Sequence, residues 1–81
     1  MTKEQIIEKL NMALSEEFEI PMELITPDAD IRDILKLDSL KAMQVVVILK
    51  RHFGVVVYPR HFPRFTTFQT LYDYIEEFCK K

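Results

Sequence analysis

Asp38-Ser39-Leu40 sets a carboxylate and a hydroxyl directly before a long apolar run, and the chemistry available to this 81-residue chain begins there. Asp and Ser favour helix starts because their side-chain oxygens accept hydrogen bonds from the unpaired backbone N–H groups at that end. The same N–H groups and the helix dipole favour negative charge, so a phosphate joined to a serine there is stabilised. The three residues alone fit either a simple cap or a phosphate anchor. Ser39 as a catalytic nucleophile fails on distance. His52 lies 13 residues further on, which on a helix is roughly 20 Å and beyond the reach of a general base. His61 sits between Pro59 and Pro63 with no orienting carboxylate beside it, and both histidines are expected at the surface. The single Cys79 excludes an internal disulfide and a cysteine-cluster zinc site. It is expected as a small buried or half-buried residue. No paired ligands point to a metal and no Gly-rich loop could cradle a phosphate, so the chain is not expected to be an enzyme.

The elements that must position Ser39 follow from periodicity. Thr2 and Gln5 fit a capping box, and Ile6, Ile7, Leu10, Ala13, Leu14 and Phe18 recur at helical spacing, which predicts a helix from about Lys3 to Phe18. Pro21 ends that pattern. Thr26-Pro27-Asp28-Ala29-Asp30 then reads as turns within a long loop pinned by Leu24, Ile25, Ile31, Ile34 and Leu35, with a helical turn near Arg32 to Leu35. Val45 to Ile48 is β-branched and would suit a strand. The apolar-rich segment from Leu40 to Phe53 nevertheless runs past ten residues without a turn signal, which favours a helix. Leu40, Met43, Val46, Val47 and Phe53 share one side of it, and Val45 and Leu49 widen the apolar face. Such a helix is either buried on two sides or keeps part of that face for a partner. Gly54 suits its C-cap, Val55 to Tyr58 is extended or irregular, and the two prolines limit the next helix to about one turn. Thr66 and Gln69 read as a second capping box before a last helix, about Thr67 to Cys79, carrying Phe68, Leu71, Tyr72, Ile75, Phe78 and Cys79.

The sum is an all-α chain, a small helical bundle read as a single domain over residues 1–81. Apolar residues make up 48%, enough for a core, and one glycine argues against a turn-rich β fold. The polar N-terminus predicts no signal peptide, and the longest apolar run, Val45 to Leu49, is too short to cross a bilayer. A cytoplasmic setting is the expectation. Charge is unevenly spread. Met1 to Asp38 holds four basic and ten acidic residues, a net of −6, and Ser39 to Lys81 holds seven basic and three acidic, a net of +4. Lys41, Lys50, Arg51, Arg60 and Arg64 lie in a stretch without a carboxylate, so an acidic and a basic flank are expected.

Leu37-Asp38-Ser39-Leu40, a helix ending in Phe53, and Phe65-Thr66-Thr67-Phe68-Gln69-Thr70-Leu71-Tyr72-Asp73-Tyr74-Ile75 together resemble the acyl carrier proteins. The first helix and Ile25-Thr26-Pro27-Asp28 fit too, so the resemblance covers nearly the whole chain. It implies a four-helix bundle of the acyl-carrier type, with three main helices and a short third helix. It also implies that Ser39 takes a 4′-phosphopantetheine arm from coenzyme A, installed by a phosphopantetheinyl transferase. The arm's thiol then carries acyl or aminoacyl groups as thioesters between enzymes, in a monomeric carrier with no nucleic-acid partner and no membrane insertion. Asp38, Leu40, Met43 and Val47 match the family's partner-contacting face, and Leu49, Val57, Phe62 and Phe65 match positions lining its acyl pocket.

Three departures from the family pattern carry expectations. Where members of the fatty acid type carry carboxylates along the second helix, this chain has Lys41, Gln44, Lys50, Arg51 and His52. Like charges across an interface cost several kcal/mol, so partners with acidic docking surfaces are expected to meet Lys41, Lys50 and Arg51. Lys36 replaces the glycine common before the Asp-Ser pair, so a different local backbone is expected there. Tyr58, Phe62 and Phe65 are bulky, which predicts a narrow pocket and short or aminoacyl cargo. Fatty acid, polyketide, lipid-modifying, aminoacyl and D-alanyl transfer all remain open as pathways. The competing reading is a small helical interaction module whose basic flank binds an acidic protein or nucleic acid. The net negative charge and the core spacing of the aromatics weaken its nucleic-acid form.

Overall fold

Thr2 opens the first helix of the structure, a computed structural model that describes residues 2–79. Its hydroxyl accepts the Gln5 N–H while the Gln5 side chain accepts the Thr2 N–H, the reciprocal box anticipated from the sequence. This helix, α1, runs Lys3–Phe18 and buries Ile6, Leu10 and Leu14. A 3₁₀ turn, Met22–Leu24, begins the loop; α2 follows at Ile31–Leu35 and α3 at Ser39–Phe53. A second 3₁₀ turn, Pro59–Arg64, precedes α4 at Phe68–Phe78. The bundle expected from the resemblance is the architecture found. The short elements are α2 and the Pro59–Arg64 turn, which Pro63 keeps 3₁₀ by withholding a backbone donor.

The β-branched run of α3 is helical. Val45, Ile48, Leu49 and Phe53 face the core, whereas Leu40, Met43 and Val47 stand out in solvent. Core burial against α1 chose the helix over the local strand preference. Phe53 therefore belongs to the opposite side from Leu40, Met43 and Val47, not to their stripe.

The long loop is pinned by Ile25, Ile31 and Leu35, all buried, and by half-buried Ile34; Leu24 is exposed instead. A backbone strap fixes it to the start of α4. Thr66 O accepts from Ile31 N–H, Ala29 O from Phe68 N–H and Pro27 O from Gln69 N–H. The second capping box therefore does not form: Thr67 is the N-cap and makes no side-chain cap bond. The donors a Thr66 box would have served are taken by loop carbonyls, and Thr70 Oγ1 accepts the Thr66 N–H.

In α4 the fully buried Tyr72 donates its hydroxyl to Asn11 Oδ1 at 2.7 Å, and Tyr74 is buried as well. Burial holds the Tyr72 hydroxyl above its ordinary pKa, partly offset by that bond. Lys3 bridges Asp73 at 2.7 Å and Glu76 at 3.4 Å on the surface, and the Lys3 and Gln69 bonds hold the Asp73 carboxyl below the usual range.

Lys36 caps α2 in the left-handed conformation, φ 53° and ψ 52°, as Gly54 caps α3 at φ 68°. The lysine thus adopts a conformation that favours glycine. No neighbouring atom lies within 4 Å of a Cβ built on Gly54, so the penalty of a side chain there is conformational. Gly54→Ala should therefore cost about 1 kcal/mol, while Lys36→Gly should gain up to about 1 kcal/mol, read from denaturant midpoints. A stability loss in Lys36→Gly would mean that the lysine side chain holds the turn.

Candidate functional site

Ser39 is the first residue of α3 and is exposed. Asp38 is the N-cap: its Oδ1 accepts the Lys41 N–H at 2.9 Å. The carboxylate is thereby committed to the cap, and the hydroxyl beside it is presented outward. The chain has one other serine, Ser15. Its hydroxyl donates to Ile20 O at 2.6 Å and is half-buried. Ser39 is thus the serine whose hydroxyl is free for substitution.

A cavity of about 610 Å³ opens beside Ser39 between α2, α3 and the Pro59–Arg64 turn. Its walls include Val57, Phe62 and Phe65, three of the four positions singled out for a pocket. Leu49 is not in the lining; it is fully buried in the core. Ala42, Met43 and Val46 supply the α3 wall. They sit three, four and seven residues after Ser39, a helical period that could have revealed them from the sequence. Tyr58 does not narrow the cavity. It is 48% exposed, with the Arg60 guanidinium 4.9 Å above its ring. The volume falls within the ordinary range of ligand pockets, and of the three bulky residues Phe62 and Phe65 stand in the wall.

The Pro59–Arg64 turn closes one side and is clamped to α4. His61 Nδ1 pairs with the Tyr74 hydroxyl at 2.6 Å and the His61 ring stacks on Phe78. Arg64 bonds Glu77 at 2.8 Å and lies 5.0 Å over the Tyr74 ring. Burial pushes the Tyr74 hydroxyl above its ordinary pKa, so it stays protonated and able to donate. His61 is half-buried in this cluster and not the surface residue expected. Arg64 likewise finds a carboxylate, on a helix the local sequence could not bring into view.

Leu40, at 78% exposure, with Met43 and Val47 forms an uncovered apolar stripe along α3. Lys41, Lys50 and Arg51 flank it, and none has an ion-pair partner among the described residues. Lys50 and Arg51 lie in the last turn, where the helix dipole favours cations. Lys41 is the third helical residue, where the dipole disfavours a cation and a glutamate would complete a capping box with Asp38. Its presence is a local rule broken at the site. No helix of the described residues is long and apolar enough to cross a membrane, and they hold no cluster of metal-ligating side chains.

Residues 8–75 match the family model described as a phosphopantetheine attachment site. The chain is 26% identical over 77 residues to the acyl carrier protein of Rubrobacter xylanophilus, covering 95% of both chains. It is 25% identical over 75 residues to that of Thermosynechococcus vestitus, covering 93% of both. With the acyl carrier protein of Saccharopolyspora erythraea it shares 37% over 57 residues, 70% of this chain and 60% of that protein.

Lys41→Glu should raise stability by roughly 0.3–1 kcal/mol in chemical denaturation, through the completed box and the dipole. A loss would mean that the lysine stabilises the fold by a contact of its own.

Proposed function

Because this chain belongs to the phosphopantetheine-attachment family of the acyl carrier proteins, we propose that Ser39 is the residue that bears its arm. The protein is a carrier of acyl groups rather than a catalyst, and its cofactor is covalent 4′-phosphopantetheine. The observation that carries the assignment to Ser39 is its exposed hydroxyl at the first turn of α3, beside the apolar cavity, while Ser15 is tied to Ile20 O. These residues fit the group. The first-turn N–H groups favour the linking phosphate, and the cavity offers apolar walls to whatever the arm brings. The arm supplies a thiol that holds an acyl group as a thioester. The chain's own residues do the rest: Asp38 holds the helix end in place, and Val57, Phe62 and Phe65 with α3 form the acyl pocket.

Its partners include a phosphopantetheinyl transferase and acyl-handling enzymes. Asp38, Leu40, Met43 and Val47 with the cations Lys41, Lys50 and Arg51 form the face that meets them. We read those enzymes as presenting acidic docking surfaces, because an unpaired basic rim around an apolar stripe is complementary to one. The protein acts as a single-domain cytoplasmic monomer in this reading. Binding of nucleic acid by the basic flank is less favoured, since Arg64 is spent on Glu77 and Arg60 lies on Tyr58.

Incubation with coenzyme A and a promiscuous phosphopantetheinyl transferase should add the arm's mass to the chain and none to Ser39→Ala. A gain in Ser39→Ala would move the attachment elsewhere. For the docking face, Lys50→Glu with Arg51→Glu should raise turnover by fatty acid synthesis enzymes with basic docking patches on the order of tenfold at low salt. No gain there would mean that these cations do not govern partner choice.

A further inference from the structure

We propose that Arg32 selects the cargo: the cavity beside Ser39 takes acyl groups that end in a carboxylate, and the Arg32 guanidinium holds that carboxylate at the open side. This rests on the reading of Ser39 as the attachment point. Of the residues lining the cavity, only Arg32, Asp38 and Ser39 are polar. Asp38 already caps α3 and Ser39 is the tether, which leaves Arg32 as the one uncommitted charged group in the wall. Arg32 is exposed and has no ion-pair partner among the described residues. The nearest carboxylate in sequence before it, Asp30, is engaged by the backbone N–H groups of Arg32 and Asp33. Lys36 and Lys41 add positive charge on either side of Ser39, against Asp33 and Asp38.

The chemistry then discriminates between cargoes. A carboxylate moved against apolar walls without a partner loses its hydration for nothing and stays outside. Opposite Arg32 it meets a planar fork of donors that matches it two bonds at a time, next to surfaces that exclude water. A neutral acyl chain gains from the walls alone and is indifferent to Arg32. Charge on the cargo therefore decides whether the guanidinium contributes, and chain length decides only how much wall is covered.

The test loads the full chain, through a promiscuous transferase, with arms bearing adipoyl or hexanoyl, equal in carbon number and different in terminal charge. The readout is the rate at which hydroxylamine cleaves the thioester, which falls when the cargo is shielded. In the wild type the adipoyl form should be cleaved more slowly than in Arg32→Gln by about fivefold, the scale of one partly exposed charge pair. The hexanoyl form should be cleaved equally in both, and Arg32→Lys should retain only part of the protection. Equal effects of Arg32→Gln on both cargoes would overturn the proposal. So would an Arg32→Gln effect on amide NMR shifts around Ser39 that is the same with a free thiol as with adipoyl, because Arg32 would then read the arm's phosphodiester. A chain whose mass never changes on loading fails at the attachment site, a distinct failure that removes the proposal with it.

Discussion

Three backbone hydrogen bonds, from Ile31 N–H to Thr66 O, Phe68 N–H to Ala29 O and Gln69 N–H to Pro27 O, strap the long loop to the start of α4. They satisfy donors at two helix N-termini with carbonyls from the other side of the strap, so α4 forms without a side-chain cap. Asp30 completes the arrangement by accepting the Arg32 and Asp33 N–H groups. With α2 held in this way, the turn through Lys36 and Leu37 delivers Asp38 and Ser39 to a fixed place at the head of α3. The cavity follows from the same constraint, since its walls come from both sides of the strap: Ile31 and Arg32 on one, Phe65 and Leu71 on the other.

Helix α3 divides its labour by face. Val45, Ile48, Leu49 and Phe53 are buried in the core, each a burial of the kind that stabilises by about 1.5–3 kcal/mol. Ala42, Met43, Val45 and Val46 line the cavity, and Leu40, Val47 and the outer part of Met43 meet solvent. One helix thus anchors the fold, walls the cavity and leaves an apolar stripe uncovered, which accounts for an apolar face wider than a surface helix needs. The cations fall around that stripe rather than within it. Those at the C-terminal end suit the dipole, and Lys41 at the N-terminal end opposes it, so helix stability does not account for its placement.

Local chemistry was legible in the sequence and long-range pairing was not. The Thr2–Gln5 box, the Gly54 cap and the helical reading of α3 rest on near neighbours, and each stands in the structure. The all-α fold class followed from helical periodicity, and its acyl-carrier type from the resemblance carried by the residues around Ser39 and the terminal segment. The Thr66 box failed because Pro27 and Ala29, some forty residues earlier, supply the acceptors. Tyr74 lay outside the stripe read along the last helix, yet it is buried because His61, Phe65 and Arg64 close over it. Leu49 matched a pocket position, yet it lies in the core outside the cavity lining, and Arg32 of α2 shares that lining with Ser39, a juxtaposition the local sequence could not reveal. Helical period finds a face; it does not say which neighbour covers it.

The account turns on one exposed oxygen at the head of α3 being the place where the swinging thiol is tied. Purification of the chain from its own cells, followed by peptide mapping with fragmentation mass spectrometry, reads that directly. The account predicts the intact arm on Ser39 and an unmodified Ser15. A chain uniformly free of the arm, or an arm on any other residue, would contradict it.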